Sequence, residues 1–122
     1  MPRNRKGLLH IIDAAGFSIG GFRRLWGETA ARLEIIIGAG LGLILWALGL
    51  PAMQIAIYAM LLLALLVVEA INTAIEELVD HLTTAWALWA KHAKDLGSFA
   101  VGGMILIIAI YLTMVLLPIL GG

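Results

Sequence analysis

The chain of 122 residues has no cysteine, and only 13% of its residues are charged. The lack of cysteine excludes disulfides, thiolate nucleophiles and cysteine-based zinc sites. A soluble domain carries about twice that share of charge, whereas this chain is 62% hydrophobic with a mean hydropathy of +1.04. Its formal net charge of zero gives no overall attraction to nucleic acid. The composition therefore indicates a membrane protein of one domain, residues 1–122.

Charge is missing altogether from two long stretches, residues 35–68 and residues 96–122. Each is long enough to enter a bilayer, and "GLPAM" at 49–53 is a turn signal that divides the first. We therefore predict an all-α fold with three membrane helices separated by that turn and by a polar connector over residues 81–96. The predicted membrane helices cover residues 30–50, 52–80 and 97–120.

Close contact between helices is predicted for the first span, because Gly38 and Gly42 form a small-xxx-small pair.

The segment before the first span, residues 7–26, has an apolar stripe at helical spacing. The stripe consists of Leu8, Ile11, Ile12, Ala15, Ile19, Phe22 and Trp26. It predicts an amphipathic helix lying in the membrane interface; the alternative is a helix packed against its own protein. Gly16, Gly20 and Gly21 weaken this helix. The start of the chain lacks a small-residue cleavage site, so we do not expect a signal peptide.

Basic residues lie in the N-terminal segment, which includes Arg3, Arg5 and Lys6, and in the 81–96 connector. The 49–54 turn and the C-terminal tail have none. By the positive-inside rule the N-terminus and the connector are expected in the cytoplasm, and the C-terminus outside. A polar site is then expected at the cytoplasmic face.

Polar residues interrupt the second span in a regular pattern. Glu69, Asn72, Glu76 and Asp80 share one face of the predicted helix, and Glu69 is the deepest of them. An intramembrane carboxylate is costly and usually functional; the alternative for Glu69 is a structural hydrogen bond between helices. Glu77 points elsewhere and is expected to be solvated.

The stripe has the features of a hard-cation site, since Mg²⁺ takes one or two carboxylates and completes its shell with water and phosphate. Glu28 is a candidate second ligand, and Lys91 and Lys94 supply positive charge, unless they are only topological anchors. A cation, a lysine and a deep carboxylate base fit phosphoryl transfer. There is no Walker A motif. "GAGLG" at 38–42 lies in a predicted membrane helix, where packing is its expected role.

Three segments together resemble the small prokaryotic integral-membrane diacylglycerol kinases. They are "VVEAINTAIEELVD" at 67–80, "AKDLGS" at 93–98 and "AAGFSIGGFRRLWGETAARLE" at 14–34. The resemblance covers nearly the whole chain. It implies a homotrimer in the bacterial inner membrane, with active sites shared between neighbouring subunits. That enzyme transfers the γ-phosphate of Mg-ATP to 1,2-diacylglycerol and forms phosphatidic acid.

The resemblance also implies roles for individual residues. Glu69 matches the general base, and Glu28 and Glu76 match the carboxylates that hold the nucleotide's metal. The matches to ATP-binding positions are His10, Phe17, Glu28, Asn72, Glu76, Asp80, Lys94 and Asp95. The matches to positions around the lipid substrate are Ala14, Arg23, Trp26, Ala30, Arg32, Glu34, Glu69 and Ser98.

This sequence departs from the family pattern near the expected nucleotide pocket. His10 replaces a basic residue and Phe17 a tyrosine, and "WGET" at 26–29 is one residue shorter than the usual spacing. The connector "TTAWALWAKH" at 83–92 replaces an acidic, histidine-bearing stretch.

Two alternatives use the same residues differently. An undecaprenol kinase would keep the mechanism and change the lipid, and a small proton-coupled transporter would use Glu69 as its proton site. A non-catalytic assembly protein would tolerate loss of the Glu69 carboxylate.

Overall fold

The computed structural model describes residues 6–121, and these residues form an all-α fold. Arg3 and Arg5, which contribute to the prediction of topology, lie outside the described residues. The described helices are α1 (Leu8–Trp26), α2 (Thr29–Ala47), α3 (Ala52–Leu82) and α4 (Leu88–Leu120).

Helices α2, α3 and α4 are each long and apolar enough to cross a membrane, which confirms the predicted number of spans. Many of their large apolar side chains are exposed, including Trp46, Met60 and Phe99. Such a surface is unfavourable in water and favourable in lipid. The chain is therefore a multi-pass membrane protein.

Helix α4 begins at Leu88, so the prediction of a polar connector over residues 81–96 is wrong. The connector covers only residues 83–87. The charged residues at the start of α4 are already helical. Lys91 Nζ donates to Asp95 Oδ2 at 2.6 Å, an i,i+4 pair that supports a helix. Hydropathy locates the part of a helix that lies in lipid, whereas the helix itself continues past that boundary.

The turn between α2 and α3 brings the two helices side by side. Gly49 has a φ of +77°, a conformation that favours glycine, and Pro51 precedes the first residue of α3. Tyr58 Oη on α3 donates to the Gly38 carbonyl on α2 at 2.7 Å. Because Gly38 has no side chain, Leu62 of α3 packs directly on it. This contact confirms the close packing predicted at the small-xxx-small pair.

The buried core lies in the half of the helix bundle that is farther from the 83–87 connector. It joins α2, α3 and α4. Its buried members are Leu45, Leu50, Tyr58, Leu65, Ile108 and Val115. The segments that form this half of the bundle come from residues 35–68 and 96–122, which contain no charged residue. The polar side chains are therefore collected at the opposite end, where α3 and α4 extend beyond the apolar region.

Helix α1 is continuous through Gly16, Gly20 and Gly21. Most of its apolar stripe is exposed, including Ile12 and Ile19, so the stripe does not pack against the rest of the described chain. That arrangement argues against the alternative of a helix packed on its own protein. The location of α1 in the membrane interface stays a prediction.

Candidate functional site

The polar stripe of α3 runs from a buried end to an exposed end. Glu69 and Asn72 are only 6% and 7% exposed, Glu76 is half-buried, and Asp80 is exposed. The stripe covers roughly 16 Å along the helix, at 1.5 Å per residue. A single helix therefore presents carboxylates at successive depths, as the sequence predicts.

The buried end of the stripe contains two carboxyl groups. Glu34 of α2 is half-buried, and its carboxyl group lies next to that of Glu69. Each has one buried oxygen, Oε2, without a hydrogen-bond partner among the described residues. A buried polar atom normally has a partner, so each of these two oxygens can accept a proton or a further hydrogen bond. Glu34 is brought to Glu69 by the pairing of α2 with α3.

The next residue of the stripe connects the buried end to the half-buried one. Asn72 Nδ2 donates to Glu76 Oε1 at 3.1 Å, one turn further along α3. The other amide atom, Asn72 Oδ1, is buried and has no hydrogen-bond partner among the described residues. It faces Gly97 of α4, which is buried against it.

At its exposed end the stripe meets α4. Lys94 Nζ donates to Asp80 Oδ1 at 2.5 Å, and Asp95 pairs with Lys91. A cavity of about 590 Å³ opens between these charged residues and the 83–87 connector. Trp86, most of whose surface is exposed, lies at its wall. The predicted residues Asp80, Lys94 and Asp95 thus surround one water-facing cavity.

Glu28, the predicted second metal ligand, lies in an ion-pair network between α1 and α3. Arg24 donates to Glu28 Oε1 at 2.7 Å and also donates to Glu77 Oε1 of α3. The hydrogen bonds to Glu28 and then to Glu77 raise the pKa of Arg24 above its ordinary value. The expectation that Glu77 is merely solvated is therefore wrong.

Sequence reasoning missed the ion pairs of Arg24, and its assignment of Arg23 to the lipid substrate stays a prediction. The i,i+4 spacing between Arg24 and Glu28 is the signal that could have indicated this ion pair.

The predicted metal ligands are not gathered into a ready-made cluster. Among residues 6–121, no group of three or more His, Asp or Glu side chains is placed to hold a metal ion. A site for Mg-ATP does not require one, because Mg²⁺ is commonly held by one or two carboxylates and by the phosphates of its nucleotide. Glu76 fits that role, since Asn72 occupies only one of its oxygens.

The predicted residues of α1 share a face of that helix. At 100° per residue, His10, Ala14 and Phe17 lie within about 80° of Gly21 and Arg24, on the side away from the apolar stripe. Gly21 and Arg24 line a groove of about 760 Å³ against α3. His10, Ala14 and Phe17 are exposed, and the described contacts do not connect them to Glu69 or Glu76.

The remaining predicted substrate residues lie near the junction of α1 and α2, except Ser98, which lies inside α4. Arg23 and Trp26 line a shallow pocket of about 340 Å³ together with Phe22. Arg32 is exposed and donates to Thr29 Oγ1 at 3.4 Å. Ala30 and Ser98 are exposed, and no described hydrogen bond joins them to the stripe.

Comparison with known proteins identifies one family. The family model described as prokaryotic diacylglycerol kinase matches residues 16–117. A diacylglycerol kinase of Sinorhizobium sp. is 44% identical over 94 residues, which cover 77% of this chain and 69% of the relative. The diacylglycerol kinase of Pseudomonas aeruginosa is 32% identical over 99 residues, covering 80% of each chain. That of Escherichia coli K12 is 32% identical over 103 residues, covering 83% and 84%.

Proposed function

Because the chain belongs to the prokaryotic diacylglycerol kinase family, we propose that it transfers the γ-phosphate of Mg-ATP to the free hydroxyl of 1,2-diacylglycerol. The products are phosphatidic acid and ADP. The acceptor is an uncharged lipid that lies in the bilayer, whereas the donor is a charged nucleotide dissolved in water. The site must therefore reach both the lipid in the bilayer and the nucleotide in water.

The observation that carries this proposal is the burial gradient along α3. Glu69 is almost fully buried at the depth of the apolar region, and Asp80, eleven residues later, is exposed beside Lys94. A transporter has no need for a lysine and several carboxylates gathered at one face of the membrane. A kinase acting on a membrane lipid needs both ends of the stripe.

At the buried end, Glu69 acts as the general base. The lipid hydroxyl oxygen attacks the γ-phosphorus, the bond between that phosphorus and the oxygen bridging to ADP breaks, and the hydroxyl proton passes to the Glu69 carboxylate. General-base assistance of this kind contributes about 10²–10⁴-fold to rate. Glu34 lies beside Glu69, where its unpartnered oxygen can share the proton that Glu69 accepts. Because the reacting hydroxyl is the only donor of the lipid, protonated Glu34 would contact the headgroup by donating to an ester carbonyl.

At the exposed end, Glu76 and Glu28 would hold the magnesium ion of the nucleotide. A bound ion would supply positive charge that stabilises the phosphates during transfer. Lys94 is placed by Asp80 to contact phosphate oxygens. The cavity beside the connector is large enough for a nucleoside, with Trp86, Asp80 and Asp95 around it.

The active unit is proposed to be a homotrimer in the bacterial inner membrane, with the N-terminus and the site in the cytoplasm and the C-terminus in the periplasm. Two observations support an assembly. The apolar groove between α1 and α3 is open within one chain, and Glu28 is joined to Glu77 through Arg24 without reaching Glu76. A neighbouring subunit can therefore complete the site.

The test is phosphate transfer from radiolabelled Mg-ATP by purified protein in mixed micelles, with diacylglycerol and undecaprenol offered separately. We expect labelled phosphatidic acid and little labelled polyprenol phosphate. Preferential labelling of undecaprenol would replace the substrate and keep the site. Absence of transfer to either lipid by folded protein would contradict the proposal and favour the transporter.

A further inference from the structure

Helices α3 and α4 make an unusually close contact at the middle of the polar stripe. Gly97 is buried, and a Cβ atom built on it would lie 2.0 Å from Asn72 Oδ1 and 3.1 Å from Asn72 Cγ. Real side chains do not approach so closely, so only glycine allows the Asn72 amide to occupy its position. The neighbouring glycines Gly102 and Gly103 have open space at the corresponding point.

The Asn72 amide is held on two sides. Its Nδ2 donates to Glu76 Oε1 at 3.1 Å, while its Oδ1 rests on the backbone of α4 at Gly97. Oδ1 has no conventional donor among the described residues, and the contact with a glycine Cα is the kind that weak C–H···O hydrogen bonds make between helices. Rotation of the amide is blocked by α4 in one direction and opposed by Glu76 in the other.

We propose that Gly97 is a positioning residue for the metal–nucleotide end of the site: by admitting Asn72 Oδ1 against α4, it directs Asn72 Nδ2 to Glu76 and so fixes the carboxylate that holds Mg²⁺. This proposal rests on the proposed function of Glu76. Hydrogen bonds of this kind orient metal-ligating carboxylates, and their loss weakens metal binding or activity by about 10–100-fold.

Any side chain at position 97 must displace the Asn72 amide from its present place. The displaced amide loses its bond to Glu76, and the carboxylate is then free to adopt other rotamers. The effect acts through Asn72 on the cation and leaves the Glu69 end of the stripe unchanged. We therefore expect a side chain at position 97 to change the requirement for Mg²⁺ more than the KM for diacylglycerol.

The first experiment measures phosphate transfer by Gly97→Ala as a function of free Mg²⁺ at fixed ATP and at fixed diacylglycerol. We expect the Mg²⁺ concentration for half-maximal activity to rise about tenfold or more, with the KM for diacylglycerol within about threefold of the wild-type value. Gly102→Ala on the same helix is the matched control and should retain the wild-type Mg²⁺ requirement. An unchanged Mg²⁺ requirement in Gly97→Ala, or an equal rise in the control, would overturn the proposal.

A second measurement does not depend on activity. Thermal unfolding in detergent is compared for wild type, Gly97→Ala, Asn72→Ala and the double variant. We expect Gly97→Ala to lower the Tm of the wild type and to have little effect in the Asn72→Ala background, where the colliding amide is gone. If Gly97→Ala destabilises both backgrounds equally, the contact with Asn72 is not what requires glycine, and the proposal fails.

The two measurements also separate this proposal from the proposed function. Failure of the wild-type protein to phosphorylate diacylglycerol would contradict the kinase assignment, whereas the unfolding comparison still reports whether Gly97 and Asn72 are coupled. Coupling in unfolding together with an unchanged Mg²⁺ requirement would leave a packing contact without the positioning role.

Discussion

Glu34 and Glu69 place two carboxyl groups side by side in the buried part of the site. Burying such groups costs free energy unless they have partners, and within residues 6–121 each retains an oxygen without one. Because burying this pair costs free energy, its presence is better explained by a role in function than by a contribution to stability. We interpret Glu69 as the proton acceptor and Glu34 as the neighbour that positions the lipid headgroup.

This interpretation predicts the effect of Glu34→Gln. The amide keeps the shape of the side chain and can still bond to a headgroup, but it cannot share the proton that Glu69 accepts. We expect kcat to fall about tenfold, less than in Glu69→Gln, while the KM for Mg-ATP stays within about threefold. Steady-state kinetics in mixed micelles checks this. Wild-type kcat in Glu34→Gln would remove Glu34 from the lipid end of the site.

The hydroxyl of Tyr58 predicts an effect on stability alone. It donates to the Gly38 carbonyl in a buried contact between α2 and α3. Tyr58→Phe should lower the free energy of unfolding by about 1 kcal/mol, measured by equilibrium unfolding in mixed micelles, with activity retained in the folded state. Tyr111→Phe is the control, since its hydroxyl bonds to the Gln54 carbonyl at a less buried position. A larger loss in the control would contradict the assigned role of the Tyr58 contact.

At this scale the sequence predicts the stripe and misses two residues of other helices that contact α3. Helical spacing alone puts Glu69, Asn72, Glu76 and Asp80 on one face, because the period of an α-helix is fixed. Gly97 and Arg24 act across helices, and the pairing of their partners depends on how α1 and α4 are rotated against α3. A single sequence contains no direct record of that rotation.

At the scale of helices, α1 should lie in the membrane interface with its apolar stripe toward lipid. Because the chain has no cysteine, one spin label can be placed at a time. A label at Ile12→Cys should be accessible to oxygen dissolved in the bilayer, and a label at His10→Cys, on the other face, to a water-soluble nickel complex. Equal accessibility of the two labels would contradict an amphipathic arrangement.

Hydropathy predicts the number of membrane spans but not where the last helix begins. It predicts three spans, because uncharged stretches of sufficient length are rare outside membranes. It places the start of the last helix near residue 97, whereas α4 begins at Leu88. Lys91 and Asp95 are polar and also good partners at helical spacing, so the nine additional residues form a helix outside the apolar layer. These residues bring Lys94 over Asp80.

At the scale of the whole molecule, the proposed trimer predicts complementation between inactive subunits. Glu28→Gln and Glu69→Gln proteins are unfolded, mixed in equal amounts and refolded together. If Glu28 and Glu69 of one site come from different subunits, random mixing restores about a quarter of the wild-type activity. If both come from one chain, mixing restores none. Each variant refolded alone provides the baseline.

We propose that α3 serves a lipid at its buried end and a metal–nucleotide complex at its exposed end. The most direct test compares Glu69→Gln with Glu76→Gln in phosphate transfer to diacylglycerol, titrating Mg-ATP and free Mg²⁺. We expect Glu69→Gln to lower kcat by about 10²-fold or more and to leave the Mg²⁺ requirement unchanged. Glu76→Gln should raise the Mg²⁺ requirement. If both substitutions changed the same parameter, or if Glu69→Gln retained wild-type kcat, the division of the stripe into two ends would be wrong.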